Sequence, residues 1–360
     1  MNNWAKYLMI FLVIAIGWLS CQQIDLTNSD LGRHLINGRE AWKTGVVFLT
    51  NEFSYTYPNY PFVNHHWGSG VIFYLVHRMF GFAGLSVLLV IVNLAIAGIV
   101  IDLIRRYGKW EWGLISGIIF LPLIVYRAEI RPEIFSSLLW VVFLWVLWRW
   151  RNGEIGNKWL LILVGLQWLW VNLHIYFIFG WMMIGLFWLD TMIRWKTVKA
   201  KMRWWISSVL VAGILVCLYN PMGLNGLIEP FKINTDRGYR VLEEQTVWFV
   251  QQIIPLPVLP YFYLAVGLFV IGWLLRLLQP KDGVKRWSLW QIMISVVILI
   301  LSFVMIRNFT IFGWIGWVLT AISLSWWQLP SFSKENRMYF WGSLLGLSLL
   351  TVLILNNNYW

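Results

Sequence analysis

The chain has 360 residues, 59% of them hydrophobic and only 12% charged, with a net charge of +12. Soluble domains carry roughly 25% charged residues, and several apolar runs here reach about the 20 residues needed to cross a bilayer. An ordinary soluble domain is excluded, and the expected fold class is an all-α polytopic membrane protein. The 28 tryptophans suit two membrane interfaces, where amphipathic rings settle.

Eleven spanning helices are expected, near 4–23, 83–104, 111–127, 132–149, 158–174, 176–194, 204–219, 258–278, 287–306, 308–327 and 338–355. The motif WLSCQQ at the end of the first fits a lipoprotein cleavage site poorly, so that segment reads as a retained helix. Cys21 and Cys217 lie in apolar runs and read as inert small hydrophobes, with a bridge between them left open. The run HWGSGVIFYLVHRMF, 66–80, is apolar but short, and is expected to be a non-spanning or re-entrant helix. Were it to cross, Arg105, Arg106 and Lys109 would move outside, against the positive-inside bias. With the N-terminus in the cytoplasm and the C-terminus outside, the inner face carries the whole net charge of +12 and the outer face is neutral. Orientation therefore accounts for the basic balance, and no nucleic acid partner is expected. One transmembrane domain, 1–360, is expected, with two long outer loops at 24–65 and 220–257. Long loops in compact folds tend to carry function, so chemistry is sought on the periplasmic or extracellular side.

The first outer loop opens with TNSDLGRHLINGREAWKTG, 27–45. Thr27, Asn28 and Ser29 are good helix caps. Leu31, Leu35, Gly38 and Trp42 then share one helical face, and Asp30, His34, Asn37 and Ala41 another. The pattern predicts an amphipathic helix on the membrane surface with its polar face toward a cavity or water. On spacing alone Asp30 is equally a first-turn acid opposing the helix dipole, and His34 a surface histidine. A segment dense in Tyr and Pro follows and ends in the pair His65 and His66. Adjacent histidines diverge on a helix, so no metal is assigned to them, although a divalent cation is left open.

Four more polar clusters map to the outer side. They are YRAEIRPE with Arg127, Glu129, Arg131 and Glu133; WVNLHIYF with Asn172 and His174; YNPMGLNG followed by VLEEQTVWF with Glu243 and Glu244; and IRNF with Arg307 and Asn308. Polar groups at membrane depth are costly and mark function, although each cluster alone could be a snorkelling side chain or a local ion pair such as Glu129 with Arg131. Five segments converging on one face favour a shared site. Arg127, Arg131 and Arg307 suit a phosphate, whose oxygens match guanidinium forks. A lone carboxylate such as Asp30 suits a general base. No nucleotide loop is present, so an outer phosphate would belong to a membrane lipid.

These residues, in this order, resemble the GT-C glycosyltransferase superfamily, including protein O-mannosyltransferases and the aminoarabinose transferases of lipid A. The chain is similar to a bacterial multi-span branch that reads D-x-D-x-W-W-H-L-x-x-G, F-S-Y-T-x-P, H-E-W, R-x-x-x-R-P, N-x-H, N-P-x-G and R-N. The matches are Asp30, His34, Leu35 and Gly38; Phe53 to Thr56 and Pro58; His65 and Trp67; Arg127, Arg131 and Pro132; Asn172 and His174; Asn220, Pro221 and Gly223; and Arg307 with Asn308, over about residues 1–325. Asn28 replaces the first Asp, Gly32 and Arg33 the tryptophan pair, and His66 the Glu of H-E-W. The branch often continues into a soluble repeat domain, whereas this chain ends at NNNYW, which reads as a minimal or a C-terminally incomplete form.

The resemblance implies a GT-C-like glycosyltransferase that takes a sugar from a polyprenyl-phosphate donor. Asp30 would deprotonate the hydroxyl of a glycan, lipid or protein acceptor, and attack would invert the anomeric carbon. Arg127, Arg131 and Arg307 would hold the donor phosphate. His34, His65, His66, Asn172, His174, Glu243 and Glu244 would line the sugar or acceptor pocket. Three other readings are weighed: an O-antigen-type polymerase or ligase, a lipid or solute transporter, and an inactive scaffold. Polymerases usually place their large outer loop late, and transporters want polar groups deep in mid-span. Both points favour transfer.

Overall fold

The computed structural model describes residues 3–21, 23–24, 30–236, 241–278 and 288–327, with isolated positions between 336 and 351. Among these residues the chain is all-helical, and its β structure is one isolated bridge, Thr50 to Pro61. In chain order the helices are α1 (Asn3–Ser20), α2 (Leu31–Thr44), α3 (Trp67–Tyr107), α4 (Trp110–Val125), α5 (Glu133–Arg151), α6 (Leu161–Leu173), α7 (Ile178–Ile193), α8 (Ala200–Val216), α9 (Leu224–Asp236), α10 (Val247–Ile253), α11 (Leu259–Leu277), α12 (Leu289–Val304) and α13 (Phe309–Leu324). Four helical stretches are long and apolar enough to cross a membrane: Trp67–Tyr107, Glu133–Arg151, Ile175–Ile193 and Leu259–Leu277. Ala5–Ser20, Trp110–Val125 and Leu289–Val304 are shorter apolar helices. This makes the chain an integral membrane protein. Helix occupies ten of the eleven expected spans, and most of 338–355 lies outside the described residues, as do the proposed caps Thr27, Asn28 and Ser29.

The expected division between 66–80 and 83–104 is real and has a local cause. The α3 helix is broken at Gly81, which takes φ 64° and ψ −160°. A side chain there would be strained, and glycine is the residue that tolerates it.

The chain separates into two compact units. The first comprises Met1–Gln22, Asn93–Ala128 and Val241–Trp360; the second comprises Gln23–Val92 and Glu129–Arg240.

In the first unit α13 lies along α4, and α1 and α11 pack beside α4. Trp317 Nε1 donates to the Gly113 carbonyl at 2.7 Å, and the Trp317 indole fills the space that Gly117 leaves. Small residues at such seams let helix backbones approach where lipid supplies no hydrophobic drive. Asn93 Nδ2 donates to Ser20 Oγ at 2.8 Å, which gives two buried polar groups their partners.

In the second unit α5, α6, α7 and α8 pack on one another through aromatic contacts, such as Phe143 with Trp170 and Trp140 with Phe179. Arg151 reaches the fully buried Asp190 at 2.7 Å, a pairing that makes a charge tolerable there. Both cysteines are free, Cys217 buried and Cys21 exposed.

The α2 helix belongs to this second unit. Asp30 stands at its N-cap, and Gly45 ends it in the left-handed conformation, φ 69°, with its N–H bonded to the Ala41 carbonyl at 3.0 Å. Its buried stripe is Leu31, His34, Asn37 and Gly38, while Trp42 stays exposed. Two members of the expected polar face therefore point into protein. Gly38 sits directly on the first turn of α3, where a Cβ would come within 2.0 Å of the Gly70 carbonyl oxygen. Gly38→Ala should accordingly destabilise the α2–α3 seam by about 1–3 kcal/mol through overpacking. A lowered thermal midpoint in a non-glycosidic detergent would register this, and an unchanged midpoint would contradict it.

Candidate functional site

In the second unit four histidines from three separate segments come together. His34 is carried by α2, His65 and His66 lie just before α3, and His174 sits in the turn between α6 and α7. The His66 ring lies 3.9 Å from that of His65, 5.3 Å from His34 and 5.3 Å from His174, centroid to centroid. His174 Nδ1 meets Ser136 Oγ at 2.7 Å, and that hydroxyl also receives Trp170 Nε1 at 2.8 Å. The Ser136 hydroxyl accepts from Trp170 and still has its own proton to donate to Nδ1, which fixes the ring. Among the described residues, no three His, Cys, Asp or Glu side chains are placed to share a metal ion.

The cluster is held by the first turn of α3. Trp67 Nε1 donates to Asn172 Oδ1 at 2.9 Å, and Ser69 Oγ to the Leu173 carbonyl at 2.7 Å. Asn172 Nδ2 donates in turn to the Trp168 carbonyl at 2.8 Å. Asn172 thus spends its amide joining α3 to α6, and it stands beside the histidines as their support.

Burial, with Arg33 adding to it, pushes the His34 ring down to about 4, against a partial upward pull from Asp30. Arg131 and Glu133 also act on it, with opposite signs. His66 falls well below the ordinary histidine value, first through burial and then through His65, His174, His34 and Arg33. Both rings are neutral at pH 7. An unfolded chain takes up protons near pH 6.5 that the folded one refuses, so stability is lost as pH falls through the window from 6.5 to about 4. For His34 alone the full loss is about 3 kcal/mol. The thermal midpoint of the purified protein should drop on acidification below pH 6.5, less steeply in His34→Gln. A flat wild-type profile would oppose this account.

Asp30 stands at the edge of the histidine group. Its side chain is 62% exposed, and Arg33 Nη2 lies 3.1 Å from its Oδ2. The carboxylate is exposed and is steadied by one guanidinium. Arg131 pairs with Glu129 at 2.7 Å within the same unit, the local ion pair that the sequence allows.

In the first unit the remaining expected residues meet. Arg127 Nη2 lies 2.8 Å from Glu243 Oε2. Arg307 Nη2 lies 3.5 Å from Glu243 Oε1, and its Nη1 lies 3.0 Å from Glu244 Oε1. Glu243 therefore bridges two guanidinium groups. The chain positions it through short turns. Leu242–Glu244 and Ile306–Asn308 are single 3-10 turns, and the Ile306 N–H bonds the Gln245 carbonyl at 3.2 Å. Arg127 and Arg307 share a carboxylate, and Arg131 has its own.

Some residues of these sites carried no sequence signal. Ser136 is one small polar residue in an apolar run, and nothing in its spacing announces a histidine partner. Arg33 was visible only as a departure from the branch pattern.

No protein-family model matches the chain, and no curated protein matches it. Among solved structures it is similar to the archaeal oligosaccharyltransferase AglB from Archaeoglobus fulgidus, determined in complex with an inhibitory peptide and a dolichol-phosphate. The TM-score is 0.55 at 13% sequence identity, and the match covers 98% of this chain. The chain spans 56% of the length of that protein. At this identity the likeness establishes a shared fold.

Proposed function

We propose that the chain is a GT-C-type membrane glycosyltransferase that moves a sugar from a polyprenyl-phosphate-linked donor to an acceptor hydroxyl on the outer face. The observation that carries this reading is the fold shared over 98% of the chain with an oligosaccharyltransferase bound to a dolichol-phosphate. The reading takes the chain as one eleven-span transmembrane domain with its N-terminus in the cytoplasm.

Asp30 is the base. Its carboxylate takes the acceptor proton as the hydroxyl oxygen bonds to the anomeric carbon. The bond from that carbon to the phosphate oxygen breaks on the opposite side, so configuration inverts. Arg127 and Arg307 receive the donor phosphate. Two guanidiniums already spaced to share the Glu243 carboxylate can share phosphate oxygens in its place, and they stabilise the charge that grows on the leaving group. Displaced Glu243 and Glu244 remain available to sugar hydroxyls. His34, His65, His66 and His174 form a neutral, hydrogen-bonding wall for sugar or acceptor, with Asn172 supporting it. Arg131 joins Arg127 and Arg307 as the third arginine assigned to the donor phosphate.

A reconstitution tests the reaction. The purified protein is placed in liposomes made from the source cell's own lipid extract, and polyprenyl phosphates are followed by mass spectrometry. Time-dependent loss of a glycosylated polyprenyl phosphate with gain of the bare carrier is the expected result. Movement of an intact glycosylated lipid between leaflets, with no bond broken, would point to a transporter and sink the proposal.

A further inference from the structure

The described residues line a cavity to which the roles above assign nothing. It holds about 340 Å³ and lies between α2 and the loop that follows it, wholly within the second unit. That volume falls in the lower part of the range for small-molecule sites. The loop is a built structure. The Thr50–Pro61 bridge closes its base, with the Asn51 N–H bonded to the Tyr60 carbonyl at 3.0 Å and the Phe62 N–H to the Leu49 carbonyl at 2.8 Å. Thr50 Oγ1 donates to Glu52 Oε1 at 2.6 Å.

Two kinds of wall face the cavity. Phe48, Phe53 and Phe62 give it aromatic surfaces, and the first two rings stand 5.8 Å apart at 83°. Arg33, Asn37 and Glu52 give it polar groups. Asn37 is only 6% exposed, and among the described residues its buried Oδ1 accepts no hydrogen bond. A buried acceptor left without a donor is costly, and the residue that carries it lines the cavity. Arg33 also links the cavity to chemistry, because its guanidinium lies 3.1 Å from the Asp30 carboxylate.

We infer that this cavity is the acceptor subsite and that the acceptor is a carbohydrate, bound through one pyranose ring. The inference rests on the glycosyltransferase reading and deepens it. A pyranose has apolar C–H faces and a rim of hydroxyls. An aromatic ring of the lining can stack on one such face. Asn37 Oδ1 and the Glu52 carboxylate accept from hydroxyls, and Arg33 donates to a ring or hydroxyl oxygen. A polypeptide acceptor would call on main-chain partners, whereas the groups that line this cavity are aromatic rings and polar side chains. Held there, a sugar presents its outer hydroxyls along Arg33 toward Asp30.

The test is binding without donor. The protein is placed in nanodiscs free of glycoside detergent and titrated with a panel of methyl pyranosides. Saturation-transfer NMR reads contact with the ring C–H protons. At least one pyranoside should bind, with signals strongest on one ring face. Phe53→Ala, at an exposed position that does not threaten the fold, should weaken its affinity about tenfold. Asn37→Leu should do the same. No binding by any pyranoside, or binding indifferent to both cavity variants, overturns the subsite. Saturable binding of an unstructured peptide with no sugar bound overturns it equally. The two proposals fail separately. Sugar binding lost in Phe53→Ala, with no transfer in the liposome assay, keeps the subsite and removes the reaction. Transfer that proceeds equally well in Phe53→Ala and Asn37→Leu keeps the reaction and removes the subsite.

Discussion

Asp30→Asn is expected to lower the rate of sugar transfer by roughly 10²–10⁴-fold, the range that a positioned general base contributes. The substitution keeps size and shape and removes the proton acceptor. Stability should barely change, because the side chain is 62% exposed and its partner Arg33 is itself part-exposed. Exposed ion pairs of this kind contribute about 0–1 kcal/mol. A large loss of turnover in a protein with an unaltered thermal midpoint is thus the signature of a chemical role. Asp30→Glu should recover part of the rate, since it retains a base at a displaced position. Undiminished transfer in Asp30→Asn at normal expression would remove Asp30 from the mechanism, and some other carboxylate would have to take the proton.

The second large effect concerns Arg307. Replacing it with Met leaves Glu244 and Glu243 with less compensation in a site where Glu244 is 7% exposed. Breaking a buried pair from one side costs about 3–5 kcal/mol, so Arg307→Met should unfold at markedly lower temperature. Pairing it with Glu244→Met removes the stranded charge and should restore most of that stability, with a coupling of about 0.5–3 kcal/mol between the two positions. Transfer should not return with stability. The double variant keeps the Arg127–Glu243 pair at 2.8 Å but lacks the second guanidinium for the donor phosphate. If stability and transfer recover together, Arg307 serves only to neutralise Glu244, and the phosphate site is elsewhere.

The helical plan was largely legible in the sequence, since span length and charge asymmetry follow from the bilayer itself. The expected break after the 66–80 run illustrates this. Charge placement favours keeping 66–80 out of the spans, and the structure interrupts the helix just after it, at Gly81. The α2 helix was legible from its periodicity, and the Thr44–Gly45 pair marks its end. Which face of α2 would be buried was harder to read. Apolar periodicity favours Leu31, Leu35 and Trp42, yet His34 and Asn37 are buried because Gly38 brings the helix backbone against Gly70.

At the site, topology placed His34, His65, His66 and His174 on one side, but contact between rings depends on packing that sequence separation hides. Arg127 and Arg131 look like neighbours in sequence. Glu243 draws one into a network more than a hundred residues away, while the other turns back to Glu129. The α2–loop cavity left no signal beyond a density of Tyr and Pro. Its closure depends on a single bridge, Thr50 to Pro61, with no strand pattern to announce it.

The central claim is transfer of sugar from a lipid phosphate, and it is tested most directly in the source cell. Surface glycans and polyprenyl-phosphate sugars would be compared by mass spectrometry in wild-type, deletion and Asp30→Asn strains. The account predicts that one glycan residue disappears and its lipid-linked donor accumulates, equally in the deletion and in Asp30→Asn. Unchanged glycans and unchanged donor levels in the deletion strain would contradict it.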